Sequence, residues 1–420
     1  MKILLLNQCF YPDVVSTAQH LTDLAVKLAE KGHSVTVVAS SRGYDNPKIR
    51  FPKRETWRNV KIIRLPALGL GKKHKWRRAL DFGSYLLSCV WRLTFLPKYD
   101  LVLAMTSPPL ISFLGALSAR LKGEKFVFWA MDLNPDEAIA AGWLKEQSVA
   151  AKFFAALLNY SLRHAEKIFA LDRIMKQRIC AKGIAEHKIV VIAPWAHDDA
   201  VKYDDQGRQE FRRRHGLSEK YVVMYSGNHS PCHPLDTLLA AALRLATHDK
   251  ISFCFVGGGS EQEKVKALIK ENNLKNVVCL PYQPLNQLSS SLSAADLQVV
   301  VMGDPFAGIV HPCKIYNILA IGSPFLYIGP SESHIGDILA RLSSSSQSGY
   351  AAHGDVDTIV KYILERSNAQ NGFTPATASP LAADFSIETL LPRMIEVLES
   401  VHKHSHAVPS SVSTSNIHST

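Results

Sequence analysis

Short apolar runs alternate with longer amphipathic segments along the first half of the chain. Residues 2–7 and 35–39 have the β-branched and leucine content of buried strands. Between them, residues 17–31 carry apolar side chains at helical spacing and end at Gly32, a common helix stop. Helical patterns separate most of the further strand-like runs, which lie at 61–65, 101–105, 126–131, 167–171 and 189–192. This alternation predicts a parallel sheet covered by helices on both faces.

The same pattern restarts in the second half, after the sequence APWAHDD (193–199) and a polar, charged stretch. The second set of strand-like runs lies at 221–226, 251–256, 277–280, 297–301 and 324–328. We therefore predict an α/β fold with two Rossmann-like, doubly wound parallel-sheet domains. The carboxyl ends of their strands face a shared cleft, where ligands bind in this class of fold.

The domain boundaries follow from these patterns. We place the N-terminal domain at 1–196 and the second domain at 197–375. A helical segment at 376–402 is predicted to pack back toward the first domain. The tail at 403–420 is rich in Ser, Thr and His, and we predict that it is disordered.

Composition narrows the class of protein. The 420 residues are 47% hydrophobic and 20% charged, which is typical of a soluble or surface-attached globular protein with two domains. Seven cysteines without a C-x-x-C pair indicate a reducing compartment and argue against a disulfide or zinc framework. The apolar start of the chain is too short for a signal peptide. The uncharged run at 101–119 contains Pro108 and Pro109, so it predicts strand, turn and buried helix rather than a membrane span.

The net positive charge is concentrated at the N-terminal end. The first 100 residues contain 18 Lys and Arg against 7 Asp and Glu, whereas the remaining residues contain equal numbers of the two. The densest basic cluster surrounds Trp76 and consists of Lys72, Lys73, Lys75, Arg77 and Arg78. Because an amphipathic, aromatic helix pattern follows, we predict docking on an anionic membrane surface. A solvated basic loop is the alternative. No nucleic-acid motif accompanies the cluster, so no nucleic-acid partner is expected.

The sequence MYSGNHSPCHPLDTLL (224–239) predicts a strand end, a turn and a helix that begins near Pro234. Uncovered backbone N–H groups at the start of a helix favour an anion. Several side chains of the turn supply further hydrogen-bond donors, namely Asn228, His229, Ser230 and His233. An ordinary α/β connection has the same local pattern, so this turn alone leaves both interpretations open.

A second glycine turn, in FVGGGSEQEKV, follows the next strand-like run. Its residues Gly257 to Gly259 permit close approach of a ligand to the backbone, and Ser260 with Glu263 predicts a capping box. The spacing differs from G-x-G-x-x-G and both glycine turns lie in the second domain. These features argue against a dinucleotide-dependent dehydrogenase.

The segment MGDPFAGIVHPCKIYNILAIGSP (302–324) places Lys314 in the first turn of a short helix and Asn317 one turn later. A lysine near a helix N-terminus is unfavourable for the helix dipole. Lys314 is therefore predicted to have a compensating anion, with exposure to solvent as the alternative. Asn317 lies beside it and is suited to bond a sugar or ribose hydroxyl.

Carboxylates of the first domain offer a candidate base. Asp132 follows the apolar run FVFWAM at a predicted strand end, where it is suited to take a proton from an acceptor hydroxyl. A helix cap or a structural bond in the loop is the alternative. Asp136 and Glu137 fit a helix start. Residues 197–199 (His-Asp-Asp) favour hinge contacts over a metal site, and the D-x-D at 355–357 lies at a predicted helix start.

The order and the local sequences of these segments resemble those of the family 4 retaining glycosyltransferases with the GT-B fold, in particular the subgroup of colanic acid and O-antigen biosynthesis. The segments that carry the resemblance are YPDVVSTAQHLTDLAVKLAEKGHSVTVV, TSPPL, MDLNPDEAIAAGWL, YSGNHSPCHPLDTLL and HPCKIYNILAIGSP, and the likeness extends from residue 1 to about 402. It implies that the second domain binds a UDP- or GDP-linked sugar and that the first holds the acceptor. It implies no other cofactor and, since no D-x-D lies at a strand end, a metal-independent reaction.

The resemblance also implies roles for individual residues. The donor phosphates and ribose would be held by Gly227, Asn228, His233, Lys314 and Asn317. The nucleotide pocket would be lined by Gly257, Gly258 and Tyr282, and the first domain would contribute Ser16, Thr17 and Asp132. Lys314 and His233 would stabilise the leaving diphosphate, with Asp132 facing the acceptor.

Two departures from the family pattern affect this assignment. Many members carry two glutamates eight positions apart, where this chain has Ile309 and Asn317, and an Arg and a Lys on the first phosphate turn, where it has Asn228 and His233. The expected function is that of a retaining hexosyltransferase on the cytoplasmic face of the membrane, acting on a lipid-linked or polysaccharide-precursor acceptor. The alternatives are a nucleotide-sugar epimerase of the same fold and a noncatalytic glycosyltransferase-like subunit.

Overall fold

The structure is a computed structural model that describes residues 1–44, 46–70, 75–196, 201–342, 347–369 and 379–403. Four predictions fall on positions outside these ranges. They concern the basic residues Lys72 and Lys73, the hinge residues 197–199, the boundary between residues 375 and 376, and the tail from residue 404 onward.

The described residues form fourteen strands, which are β1 (Lys2–Leu6), β2 (Ser34–Ser40), β3 (Arg54–Trp57), β4 (Val60–Leu65), β5 (Leu101–Ala104), β6 (Lys125–Trp129), β7 (Lys167–Ala170), β8 (Ile189–Val191), β9 (Tyr221–Asn228), β10 (Ile251–Gly258), β11 (Val277–Leu280), β12 (Leu297–Val301), β13 (Phe325–Ile328) and β14 (Gly349–Ala351). The α-helices of the same ranges are α1 (Ser16–Glu30), α2 (Lys75–Phe95), α3 (Ile111–Lys122), α4 (Asp136–Ala140), α5 (Val149–His164), α6 (Arg173–Ala181), α7 (Asp205–Arg214), α8 (Asp236–Arg244), α9 (Gln262–Asn272), α10 (Leu288–Ser293), α11 (Lys314–Ala320), α12 (His334–Arg341), α13 (Val356–Asn368) and α14 (Ile387–Lys403).

The first sheet has eight strands in the order β3-β4-β2-β1-β5-β6-β7-β8. All neighbouring strands run parallel except β3, which pairs antiparallel with β4 at the edge. β1 is buried from Ile3 to Leu6, as expected for a strand covered by helices on both faces. The strand order reverses beside β1, which has β2 on one side and β5 on the other.

The second sheet has six parallel strands in the order β11-β10-β9-β12-β13-β14. Its strand order reverses beside β9, which has β10 on one side and β12 on the other. Ligands of doubly wound sheets bind at such reversal points, outside the carboxyl ends of the strands. The loops that follow β9 and β12 therefore lie where a ligand of this fold would bind.

The fold class predicted from the sequence is confirmed, since two parallel-sheet α/β units are present. Two short edge strands were missed, namely β3 and β14. The uncharged run at 101–119 is strand β5 followed by helix α3, as predicted. Among the residues that the structure describes, no helix combines the length and the apolar character needed to cross a bilayer.

The last helix belongs to the first core rather than the second. Leu390, Met394, Ile395 and Leu398 of α14 are buried among the residues of the first sheet and its helices. The turn after α1 also contacts the last helix through His33, whose Nε2 lies 3.1 Å from Glu399 Oε1. The chain thus crosses back to the first domain after completing the second.

Candidate functional site

The site lies where loops from both sheets meet. The loops after β9, β10 and β12 come from the second sheet, and the segments after β1 and β6 come from the first. Contacts between the two halves are direct: Ser16 at the start of α1 lies against Cys313, with Oγ 3.7 Å from Sγ. Cys313 immediately precedes Lys314, so the first strand-to-helix connection reaches the start of α11. Thr17 follows Ser16 in the first turn of α1.

Lys314 and Gly227 are in close contact. Gly227 has φ +141°, and a Cβ atom at this position would lie 2.9 Å from the Lys314 ammonium nitrogen. Nζ also lies 3.6 Å from the centroid of the Tyr225 ring, and the Tyr225 hydroxyl donates to the Asn228 carbonyl at 2.7 Å. A residue without a side chain at 227 therefore lets the ammonium approach the turn after β9.

The Lys314 ammonium is buried and has no hydrogen-bond partner among the described residues. Burial lowers its pKa from 10.5 to about 7, because the charged form loses its hydration. Buried ammonium groups are normally paired with an anion or fully hydrogen-bonded. The ring of Tyr225 is the favourable contact that remains, through a cation–π interaction.

Two histidines lie beside this lysine. His229 donates from Nδ1 to the Gly227 carbonyl at 3.0 Å, and its Nε2 is buried without a hydrogen-bond partner in the described part of the chain. His233 donates from Nδ1 to the Val301 carbonyl at 2.8 Å. Burial, reinforced by Lys314, lowers the pKa of His229 to about 4 and that of His233 to about 3. Both imidazoles are therefore neutral at pH 7, with Nε2 as an acceptor. The predicted role of His233 in stabilising diphosphate charge stays a prediction.

The second glycine turn lies next to the first. Gly258 accepts hydrogen bonds from the His229 amide (2.9 Å) and from the Tyr282 hydroxyl (3.1 Å). This arrangement brings Gly257, Gly258 and Tyr282 to the same strand ends as Gly227 and Asn228. The Ser260–Glu263 capping box is wrong: α9 begins at Gln262, with Glu261 at the N-cap position and no side-chain cap. The Glu261 amide instead donates to the His229 carbonyl, so the turn continues before the helix starts.

Helix α11 carries the remaining donor-site candidates. It begins at Lys314, and Asn317 follows one turn later on the same face of the helix, half-buried. Ile309 is fully buried and packs in the first core, although it belongs to the loop after β12. Its carbonyl accepts a hydrogen bond from the Leu133 amide at 3.1 Å. Position 309 is thus part of the contact between the domains.

The first domain contributes a pair of carboxylates. Asp132 follows β6, and its pKa is raised to about 8, first by burial and then by the negative charge of Glu137. Glu137 accepts a hydrogen bond from the Asn134 amide group at 2.9 Å, and its other oxygen lies 4.0 Å from Cys232 Sγ in the second domain. Sequence reasoning assigned Glu137 only to the start of α4, which does begin at Asp136. Its spacing from Asp132, five residues across a Pro-containing turn, is the signal that could have linked the two.

One further group of potential metal ligands lies at the domain boundary. Asp172, His311 and His334 are buried, and their ligand atoms lie within 4.8 Å of one another. The two imidazole rings stack with centroids 3.5 Å apart and planes 18° apart. A metal ion lies in the plane of each imidazole that binds it, so two stacked rings do not direct their nitrogens at one point. The predicted D-x-D at 355–357 is confirmed as a helix start, since Asp355 caps α13.

Solved structures share this architecture. HepE from Anabaena, solved in complex with UDP-glucose, is 15% identical, with a TM-score of 0.70 over 95% of this chain and 100% of that one. WaaG, a glycosyltransferase involved in lipopolysaccharide biosynthesis, is 17% identical, with a TM-score of 0.63 over 96% of this chain and 98% of that one. The fold is that of the GT-B glycosyltransferases.

Family models and curated relatives agree with this class. The Glycosyl transferase 4-like domain matches residues 17–195, and the Glycosyl transferases group 1 domain matches residues 207–311. WcaI of Escherichia coli (strain K12), described as a colanic acid biosynthesis glycosyl transferase, is 23% identical over 80% of this chain and 86% of its own. WbjE of Pseudomonas aeruginosa, described as a glycosyltransferase, is 25% identical over 57% of this chain and 60% of its own. The chain thus carries a Glycosyl transferase 4-like domain followed by a Glycosyl transferases group 1 domain, which is consistent with a family 4 glycosyltransferase of the GT-B fold.

Proposed function

We propose that this protein transfers a sugar from a nucleoside-diphosphate donor to a hydroxyl of a lipid-linked or polysaccharide-precursor acceptor, with retention of the anomeric configuration. The observation that carries the proposal is the buried Lys314 ammonium beside Gly227, which has no hydrogen-bond partner in the described ranges. It lies at the reversal point of the second sheet, where ligands of this fold bind. HepE, which was solved with UDP-glucose, has the same fold.

The donor diphosphate supplies the counter-charge that Lys314 lacks. A phosphate group beside the ammonium raises the pKa of Lys314 from about 7, so the lysine becomes protonated as the donor binds. When the bond between sugar and diphosphate breaks, negative charge develops on the leaving oxygen. A preorganised ammonium in a site that excludes water stabilises this charge more strongly than water does. Lys314 therefore acts in both binding and departure of the leaving group.

Acceptor activation is assigned to Asp132. Its raised pKa of about 8 makes the carboxylate a stronger base than an ordinary aspartate. Glu137 contributes to that pKa through its charge, and both residues face Cys232 across the cleft. The acceptor hydroxyl would enter from the side of the first domain. The names of WcaI and WaaG refer to polysaccharide and lipopolysaccharide synthesis, which supports an acceptor of that class.

The outer face of α2 supports docking on an anionic bilayer. Leu87 is 73% exposed and Trp91 is 72% exposed, whereas Tyr85 and Cys89 of the same helix are fully buried. The exposed face continues with Trp76, Leu80, Val90 and Phe95, and Arg77 and Arg78 lie in the first turn. Apolar side chains next to basic ones are the usual composition of a helix that lies in a membrane interface. Such docking would bring a lipid-linked acceptor to the cleft.

A panel of ligands tests the donor site. We would measure the melting temperature of the purified protein with UDP, GDP, ADP, NAD and the common UDP- and GDP-sugars. A ligand at about 100 times its Kd adds about 2.7 kcal/mol to the free energy of unfolding. We expect one nucleoside diphosphate and its sugar conjugates to raise the melting temperature. Absence of any shift with all of them would contradict the proposal.

A further inference from the structure

A buried hydrogen-bonded chain leads from the first domain to α11. Asp172 caps α6: one carboxylate oxygen accepts from the Met175 amide at 2.7 Å. The other oxygen accepts from His311 Nδ1–H of the second domain at 2.9 Å. His311 Nε2 then accepts from the Tyr316 hydroxyl at 2.5 Å. Tyr316 belongs to α11, two residues after Lys314.

The residues of this hydrogen-bonded chain are buried, and each has a defined protonation state, so the network is fixed. The side chain of His311 is completely buried, and that of Asp172 is 6% exposed. Burial acts to raise the pKa of Asp172, but the hydrogen bonds from His311 and from the Met175 amide outweigh it and hold the pKa well below its ordinary value. Burial raises the pKa of Tyr316 far above its ordinary value, so its hydroxyl keeps its proton and donates. In a dry interior such a network has one favourable arrangement.

The loop that leads into α11 is held by the first domain along its length. Arg178 donates to the Ala307 carbonyl at 2.6 Å, and Leu133 donates to the Ile309 carbonyl at 3.1 Å. Gly308 has φ +69°, and a Cβ there would lie 2.8 Å from the Met175 amide nitrogen at the start of α6. The segment from Ala307 to His311 therefore takes its position from the first domain rather than from the sheet that it follows.

We propose that Asp172, His311 and Tyr316 are positioning residues that couple the relative placement of the two domains to Lys314. The inference rests on the proposed donor site. Because α11 is anchored through Tyr316 and His311 to Asp172 of the other domain, Lys314 has its present place over Gly227 only when the domains are closed in this arrangement. Loss of the chain therefore weakens contact with the diphosphate while leaving contact with the nucleoside unchanged.

His334 lies on the other side of His311 without lengthening the chain. Its ring stacks on His311, and its Nδ1 lies 3.7 Å from the Asp172 carboxylate. Neither ring nitrogen has a hydrogen bond of normal geometry with any residue that the structure describes, although the nearby Pro312 carbonyl favours its charged form. Burial lowers its pKa far below the ordinary value, so the ring is neutral at pH 7. It supports His311 by packing.

Asp172→Ser tests the coupling without removing the helix cap. Serine caps a helix as well as aspartate does, but its shorter side chain does not reach His311. We would measure the Kd of UDP and of UMP by calorimetry, using GDP and GMP if the wild type binds guanine nucleotides. We expect the diphosphate Kd to rise about tenfold and the monophosphate Kd to stay within about twofold, since one buried hydrogen bond to a charged group is lost. Tyr316→Phe, which removes only the hydroxyl, should have the same selective effect and serves if Asp172→Ser does not fold.

Arg173→Gln is the matched control. Arg173 pairs with Asp337 and Glu332 across the same domain boundary, but these ion pairs are exposed and are not part of the hydrogen-bonded chain. Exposed ion pairs contribute little to stability, so both Kd values should match the wild type. If the diphosphate Kd of Arg173→Gln rises as much as that of Asp172→Ser, the cause is a general loosening of the domain boundary, and the proposal is overturned.

The effect must also pass through Lys314. In a Lys314→Met background, Asp172→Ser should add no further loss of UDP affinity, because the residue that the chain positions is absent. Additive losses would overturn the inference. If the wild type binds UDP and the ratio of the UDP Kd to the UMP Kd is the same in the variants, the inference is overturned and the proposed donor site is left intact. If the wild type binds no nucleotide, both the inference and the donor site are overturned. If the purified protein contains one equivalent of a transition metal, and its removal by a chelator lowers the affinity for UDP, these residues form a metal centre rather than a hydrogen-bonded chain, and the inference is overturned.

Discussion

Replacing Lys314 by methionine should have opposite effects on stability and on ligand binding. Methionine has a similar length and no charge, so it fills the space beside Tyr225 and Gly227 without a buried ammonium. The folded protein lowers the pKa of Lys314 from 10.5 to about 7, which means that the unfolded chain binds more protons between these values. The lysine therefore costs stability at neutral pH, up to about 4 kcal/mol.

The ligand-free Lys314→Met variant should accordingly melt at a higher temperature than the wild type. The gain is largest at pH 7 or below and shrinks as the pH is raised to 9, because deprotonating the lysine on folding costs less free energy as the pH approaches its unfolded pKa of 10.5. Each kcal/mol corresponds to about 2 to 4 °C for a domain of this size. Differential scanning calorimetry without ligand, at pH 7 and pH 9, measures this difference.

The same variant should bind nucleoside diphosphates weakly. A hydrogen bond to a charged group contributes about 1.5 to 3 kcal/mol, so the Kd should rise about 10- to 150-fold. Titration calorimetry with the nucleotide that stabilises the wild type provides the value. A variant that is less stable than the wild type, or that binds the diphosphate equally well, would refute the view that Lys314 is a buried amine that gains its counter-ion when the diphosphate binds.

Three further predictions follow from the site and the surface. Between pH 7 and 9 the wild-type Kd for the diphosphate should rise about fiftyfold, because the protonated fraction of free Lys314 falls from about one half to about one hundredth; a flat profile in calorimetry would contradict this. At saturating donor, kcat/KM for the acceptor should rise as the pH approaches 8, and Glu137→Gln should move that rise to lower pH because it removes the charge that raises the pKa of Asp132; an unmoved profile would separate Glu137 from Asp132. Leu87→Ser with Trp91→Ser should lower binding to anionic vesicles at least about tenfold and leave the Kd for the diphosphate unchanged, since these side chains are exposed on α2; equal vesicle binding in sedimentation would exclude that face.

Strands that contain an apolar run could be predicted from sequence, whereas the polar edge strand β3 could not. β5 and β13 are continuous apolar runs, and such runs bounded by helical patterns have one natural place in an α/β sheet. β3 consists of Arg54, Glu55, Thr56 and Trp57, none of which is buried. It exists because its backbone pairs with β4, and pairing of that kind leaves no periodic signal in the sequence.

The donor side of the site was accessible to sequence reasoning because its parts are local. A strand end, a glycine and a lysine at a helix start each have a local signature, and the parallel sheet brings strand ends to one edge. The hydrogen-bonded chain between the domains could not be predicted from the sequence, because Asp172 and His311 are 139 positions apart. Only the crossing of the two domains places the cap of α6 beside the loop that leads into α11.

The measurement that tests the central claim most directly is transfer itself. The purified protein is incubated with each nucleotide sugar that it binds, with and without a bacterial lipid extract as the source of acceptor, and the released nucleoside diphosphate and the labelled glycolipid are quantified. We predict release that requires the extract, is matched by labelled product, and is lost in Lys314→Met. Conversion of the nucleotide sugar without an acceptor would indicate an epimerase, and binding without turnover would indicate a noncatalytic subunit; either result would contradict the account.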